Sequence, residues 1–188
     1  MPAIIKPLYM ARKFVSSCVR IGETVIDATA GNGHDTLLLA QLVGDRGKVF
    51  SFDVQKEAIE KTRQLLEREN LIGRVALILD SHEHMPEYVH EPVSVIMFNL
   101  GYLPGSDHQI ITRPESTINA VKAGLLLLRP GGIITLMIYT GHEGGKEEKA
   151  ALFSLCAALN QKQFTVLYYN IINQVHYPPS LLVIEKNH

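Results

Sequence analysis

Cysteine is scarce in this chain. Cys18 and Cys156 are the only two among 188 residues, and they form no CxxC pair. That argues against a disulfide framework or a zinc site and fits a reducing cytosol. Long apolar runs are also missing. None reaches the roughly 20 residues that span a bilayer, and the N-terminal MPAIIKPLYM lacks the pattern of a signal peptide. A soluble, cytoplasmic protein is expected. There is no surplus of charge either: the formal net charge is −1, whereas a protein that binds nucleic acid mainly by charge is normally more basic. The balance is local, however. Residues 1–22 carry Lys6, Arg12, Lys13 and Arg20 and no acid, and a second basic group is His108, Arg113, Lys122 and Arg129, diluted by Asp107 and Glu115. Repeats, low-complexity segments and linkers are absent.

What is present is a core-forming composition, 46% hydrophobic and 20% charged, over a length that suits one domain, 1–188, with 1–22 as a basic helical segment at its start. From residue 24 onward, strand-like and helix-like segments alternate. Strands are expected at 25–28, 48–54, 74–79, 93–99, 132–139, 164–172 and 180–186. Helices are expected at 34–43, 55–70, 81–90, 115–128 and 146–160. Arg129-Pro130-Gly131-Gly132 reads as a strong turn between the fourth of these helices and the fifth strand. The strands are continuous apolar runs, as expected where helices cover both sheet faces. The order implies an α/β, mostly parallel doubly wound sheet whose last strand enters antiparallel, because no crossover helix precedes it. In such sheets ligands bind beyond the carboxyl ends of the strands.

DATAGNGHDT, residues 27–36, lies at the first of those ends. Two ligands compete for such a strand–GxG–helix turn. A dinucleotide needs a third glycine for close helix–strand packing and a helix N-terminus facing pyrophosphate. Here the third position is Thr36, and Asp35 adds negative charge where the pyrophosphate would sit. S-adenosylmethionine carries no phosphate and has cationic sulfonium and amino groups, so Asp27 and Asp35 suit it. Asp53 ends the second strand, 20 residues after Gly33, and can accept both ribose hydroxyls. Asp80 ends the third strand, where it can take the adenine amino group, with Ser81 and His82 bordering the ring. The cofactor set expected on this reading is Asp27, Gly31, Asn32, Gly33, His34, Asp35, Thr36, Asp53, Gln55, Asp80, Ser81, His82 and Asn99.

DATAGNGHDT, Asp53, LDSH (79–82) and FNLGYLPG (98–105), together with GHEGGKEE (141–148) and NQVHYPPSLLVIEK (173–186), resemble class I methyltransferases. More narrowly, they resemble the bacterial YtqB-like family labelled "putative rRNA methylase", over nearly the whole chain. The chain departs from that pattern at Arg12, where histidine is expected, and at Gly105-Ser106, where a second glycine is common. The resemblance implies a Rossmann-like fold with a seven-stranded sheet. It also implies transfer of a methyl group from S-adenosylmethionine to the exocyclic amine of 5-aminomethyl-2-thiouridine (nm5s2U) at wobble position 34 of tRNA, giving mnm5s2U. Ribosomal RNA or a small amine is the alternative acceptor.

In nitrogen methyltransferases the position after strand four often carries Asn or Asp with an aromatic residue close behind. Asn99 can orient an acceptor amine through its carbonyl oxygen, and Tyr102 can stack on an unstacked base. The amine must lose a proton before attack, after which positioning carries most of the catalysis. Asp107 and His142 are the candidates to take that proton, with Tyr139 assisting, or water takes it and Asp107 attracts the ammonium. Contacts to the phosphates of the tRNA anticodon region are expected from Arg12, Lys13 and Arg113, and a homodimer would enlarge that surface. His34, His82, His84 and His142 lie in different loops without metal-ligand spacing, so no metal is expected.

Overall fold

The computed structural model describes residues 4–101, 114–141, 144–175 and 178–188. Its centre is one sheet with strand order β3-β2-β1-β4-β5-β7-β6. The strands are β1 (Thr24–Asp27), β2 (Lys48–Asp53), β3 (Val75–Leu79), β4 (Val93–Asn99), β5 (Leu128–Ile138), β6 (Phe164–Tyr169) and β7 (Ser180–Lys186). β1 pairs in parallel with β2 and β4, β2 with β3, and β4 with β5, whereas β7 runs antiparallel to both β5 and β6. The antiparallel entry of the last strand is as expected. Its position between β5 and β6 follows because the short connection from β6 allows hairpin pairing.

Alternation along each strand sends apolar side chains to two separate layers. Val25, Val49, Val95, Met97 and Val183 pack with helices α1 (Pro7–Cys18), α2 (His34–Val43) and α3 (Lys56–Arg68). Ile26, Phe50, Phe52, Ile96, Phe98 and Ile184 pack on the other face, against α4 (Met85–Tyr88), α5 (Pro114–Leu127) and α6 (Gly145–Ala157). Both faces of β1, β4 and most of β5 are therefore buried, which is why their sequences show no polar alternation. β6 differs: its residues alternate between half-buried and exposed, because it is the uncovered edge of the sheet.

The helices follow expectation to within a few residues, except over 81–90, which forms a 3-10 turn (His82–His84) and then the single turn of α4. Pro86 in the first turn of α4 is tolerated because the N–H it lacks would have had no helical partner. A second difference lies at 129–132. These residues do not separate α5 from the fifth strand but belong to β5, which begins at Leu128. Leu128 pairs with Val93 and Ile133 with Val95, so the RPGG segment bulges opposite Ser94. A side chain at Gly132 would press within 3.0 Å of the Ser94 carbonyl, and Gly131 takes φ +67°. The turn residues are thus used inside the strand, and Arg129 is held there by Glu23 at 2.8 Å and the Cys18 carbonyl at 3.1 Å.

Close packing elsewhere at the amino end of the sheet makes one residue irreplaceable. A methyl group on Gly47 would meet Val43 Cβ and approach the carbonyls of Val43 at 2.6 Å and Glu23 at 2.8 Å. Gly47→Ala should cost about 2–3 kcal/mol through overpacking, lowering Tm by roughly 5 °C or more in a thermal melt. An unchanged Tm would mean that the α2–β2 connection can relax.

Candidate cofactor and acceptor site

The period-two rule that sorts the core also assembles the site. Asp27, Ser51, Asp53 and Asn99 fall on the same parity as Val25, Val49 and Val95 in their strands. All four therefore project from the carboxyl half of the sheet toward the face covered by α1–α3. Tyr139, one residue beyond β5, packs with the same apolar layer.

Between β1 and α2 the chain turns through Gly31 (φ +55°) and Gly33 (φ +83°), left-handed conformations that favour glycine. The turn is pinned from two sides. The Gly31 N–H donates to Asp53 Oδ2 at 2.9 Å, and Thr62 of α3 donates its hydroxyl to the Gly31 carbonyl at 3.4 Å. A Cβ at Gly33 would lie 3.0 Å from Thr62 Cα, so this glycine also permits α3 to approach. Asp53 accepts a second backbone hydrogen bond, from Gln55 at 2.9 Å, at the start of α3.

Asp27 is fully enclosed. It accepts hydrogen bonds from the Thr29 N–H at 3.1 Å and the Thr36 hydroxyl at 2.6 Å, and Thr36 in turn lies 2.8 Å from Ser51 Oγ. Burial, reinforced by the charge of Asp35, pushes the Asp27 carboxyl up to about 7, although the hydrogen bonds from Thr36 and Thr29 oppose the rise. Burial also raises the Asp53 carboxyl, against the hydrogen bonds from Gly31 and Gln55. Asp35 lies in the first turn of α2 and pairs with Arg12 of α1 at 3.0 Å. Its other oxygen is 3.5 Å from Asn99 Nδ2, and the Asn99 N–H donates to Thr29 Oγ1 at 2.8 Å.

Beyond β3, the residues expected to border an adenine already have partners within the protein. Asp80 accepts from the Ser81 N–H at 2.7 Å and the Tyr88 hydroxyl at 2.8 Å, and it pairs with His84 at 2.9 Å. Those hydrogen bonds, His84's foremost, lower its carboxyl below the ordinary range and keep it ionised. Ser81 caps the following turn. His82 is buried edge-on against Phe98 with Nδ1 donating to the Ala28 carbonyl at 3.0 Å. Burial lowers its pKa and keeps the ring neutral. Its Nε2 is therefore a buried acceptor, and it has no partner among the described residues.

Of the residues expected at the site, the fold gathers Asp27, Gly31, Asn32, Gly33, Asp35, Asp53 and Gln55 around the turn and places Asn99 beside them. His34 is exposed at the start of α2. Thr36 is enclosed, with its hydroxyl committed to Asp27 and Ser51, so it shapes the turn from beneath. Tyr139 is held as a neutral phenol by burial and by the charge of Asp35, which suits a hydrogen-bond donor and not a base. Arg12 turns to Asp35, while Lys13 is exposed on α1. Tyr102, Asp107, Arg113 and His142 lie outside the described residues. Three supporting residues escaped sequence reasoning: Thr29, Ser51 and Thr62. Thr29 lies within DATAGNGHDT but has no role apparent from the turn itself, and Ser51 and Thr62 lie in a strand and a helix without a motif, so only the cross-strand and helix–turn contacts reveal them.

The arrangement selects for charge. Asp27, Asp35 and Asp53 bring carboxylates to one glycine turn, and the nearby guanidinium of Arg12 is paired to one of them. A pyrophosphate would be repelled here. A ligand with a cationic centre and donor hydroxyls fits, and the unpartnered Nε2 of His82 adds an acceptor for an N–H or O–H group. Among the described residues, no group of His, Cys, Asp and Glu could hold a metal, and no helix is long and apolar enough to cross a membrane.

Comparison with known proteins agrees. Residues 49–185 match the family model described as "Putative rRNA methylase". A "tRNA (mnm(5)s(2)U34)-methyltransferase, chloroplastic" from Arabidopsis thaliana is 37% identical over 180 residues, 89% of this chain. The chain spans only 65% of that relative's length. A crystal structure titled "putative rRNA-methylase" from Clostridium thermocellum is 47% identical, with a TM-score of 0.97 over 98% of this chain and 100% of that one. A "putative methyltransferase" from Streptococcus mutans, solved in complex with SAH, is 41% identical, with a TM-score of 0.90 over 97% of this chain and 99% of that one.

Proposed function

This chain belongs to the "Putative rRNA methylase" family, within the class I methyltransferase fold, and on that premise we propose that it methylates the exocyclic amine of nm5s2U at wobble position 34 of tRNA to give mnm5s2U. S-adenosylmethionine is the cofactor, and when bound it supplies the methyl group as an electrophile. The carboxylate-rich glycine turn fits its cationic centre, and a related structure holds SAH, the demethylated product. The reading of the acceptor is supported above all by Asn99. It stands at the carboxyl end of β4, on the same sheet face as Asp27 and Asp53, with its amide nitrogen toward Asp35. The amide oxygen is then directed away from that carboxylate and can accept a hydrogen bond from an amine N–H, aiming the nitrogen lone pair. The substrate named for the Arabidopsis relative supports the same acceptor.

Arg113, Lys13 and a second subunit remain part of this reading as contacts to the anticodon region, as do Tyr102 as a stacking residue and Asp107 or His142 as proton acceptors. A cytoplasmic location belongs to it as well. A second reading, a small amine as acceptor, is favoured by the net charge of −1.

The test is incubation of the purified protein with S-adenosylmethionine and tRNA from cells that lack the final wobble methylation, followed by mass spectrometry of the nucleosides. Conversion of nm5s2U to mnm5s2U supports the proposal. If nm5s2U is unchanged while small amines are methylated, the second reading replaces it. Asn99→Ala should then lower kcat roughly 10- to 100-fold through lost orientation, with a much smaller change in cofactor affinity. A variant with full turnover would remove Asn99 from the acceptor site.

A further inference from the structure

Arg12 reaches from α1 into the site, although a surface cation on a basic segment would be expected to face solvent or RNA. Both its Nε, at 3.3 Å, and its Nη2, at 3.0 Å, donate to the same oxygen, Asp35 Oδ1. The other oxygen, Oδ2, faces Asn99 Nδ2 at 3.5 Å. Asp35 is only 8% exposed, so the carboxylate side of this contact is buried, while the Arg12 side chain is half-buried.

We propose that the Arg12–Asp35 pair is a positioning device for Asn99, fixing its side-chain amide so that Oδ1 and not Nδ2 faces the acceptor amine. The proposal rests on the reading of Asn99 as the residue that meets that amine. A primary amide has a donor end and an acceptor end related by a half-turn, and an acceptor amine needs the oxygen. An ionised carboxylate only accepts, so beside it the NH2 end is stabilised and the oxygen end is repelled. The backbone of Asn99 is already anchored by its N–H on Thr29 Oγ1, which leaves side-chain rotation as the freedom to remove. Arg12 occupies Oδ1 with two donors and so leaves Oδ2 for the amide. It also brings a positive charge to Asp35, whose own charge acts on Asp27. Two helices and one strand are thereby joined as Arg12–Asp35–Asn99.

The test reads the amide directly, on 15N-labelled full-length protein without tRNA. The Asn99 side-chain NH2 signals, assigned by their absence in Asn99→Ser, should exchange with water at least tenfold faster in Arg12→Gln and in Asp35→Asn than in the wild type. Arg12→Lys, which keeps one charged donor, should recover part of the protection. In turnover, Arg12→Gln should lower kcat about tenfold, leaving the KM for S-adenosylmethionine and the salt dependence of tRNA binding unchanged. If Arg12→Gln instead weakens tRNA binding and flattens its salt dependence while the Asn99 signals stay as they were, Arg12 is a phosphate contact and the proposal is overturned. A wild type that leaves nm5s2U unmodified would end the substrate reading, while the exchange data would still decide the orientation of Asn99.

Discussion

Asp53→Ala should lower affinity for S-adenosylmethionine and SAH alike by about 100- to 1,000-fold. On the proposed reading, this carboxylate, at the carboxyl end of β2 beside the glycine turn, accepts the ribose hydroxyls of the cofactor. Hydrogen bonds to a charged group are worth about 1.5–3 kcal/mol each, and two ribose hydroxyls would be lost together. At about 1.4 kcal/mol per tenfold, that loss reaches the stated range even after partial replacement by water. The substitution also removes the acceptor of the Gly31 and Gln55 N–H groups, so the turn loosens as well. Asp53→Asn keeps the shape and one acceptor oxygen and should lose less. Isothermal titration calorimetry with both ligands checks this. A loss below about threefold for the alanine variant would remove the ribose from Asp53.

Asp27→Asn should stabilise the folded chain at pH 8 by up to about 4 kcal/mol and change little at pH 4. The ordinary carboxyl value of 3.8 applies to the unfolded chain, while burial and Asp35 push the folded value up to about 7. Between those two values the folded chain holds a proton that the unfolded chain has released. Stability contributed by this group therefore falls as pH rises from about 4 to about 7, and above that window the buried charge imposes its full cost. A gap of this size corresponds to about 4 kcal/mol at about 1.36 kcal/mol per tenfold. Asparagine is neutral at every pH and fits the same network, with its oxygen accepting from Thr29 and its nitrogen donating to Thr36, whose hydroxyl can turn to Ser51. Denaturant unfolding at pH 4 and pH 8 is the check. Equal pH dependence in the two proteins would mean that Asp27 is not the group that titrates. The stability forfeited by the native aspartate is consistent with a negative site kept for a cationic ligand.

Much of this was legible along the chain because the signals are local. Continuous apolar runs marked strands covered on both faces, and the order of elements implied a parallel sheet with a reversed final strand. DATAGNGHDT could be read because a glycine turn between strand and helix has few uses, and Asp35 and Thr36 spoke against pyrophosphate. What was not legible shares one cause. RPGG carries turn residues, but whether they end a strand or bulge within it depends on Ser94 across the sheet. His82 is followed by a helical pattern, yet burial against Phe98 and the Ala28 carbonyl decides what its ring can do.

The sequence by itself determined the fold class, the place of the glycine turn and the negative character of its surroundings, because periodicity, turn chemistry and charge are properties of neighbouring residues. Only the tertiary structure decided which groups face one another. Arg12 and Asp35 are 23 residues apart and Asp35 and Asn99 are 64 apart, and Thr62 closes on Gly31 from another helix. No local pattern encodes such pairings, since they arise from sheet register and helix packing. The same packing excludes water from Asp27 and so turns an ordinary carboxyl into one that titrates at about 7.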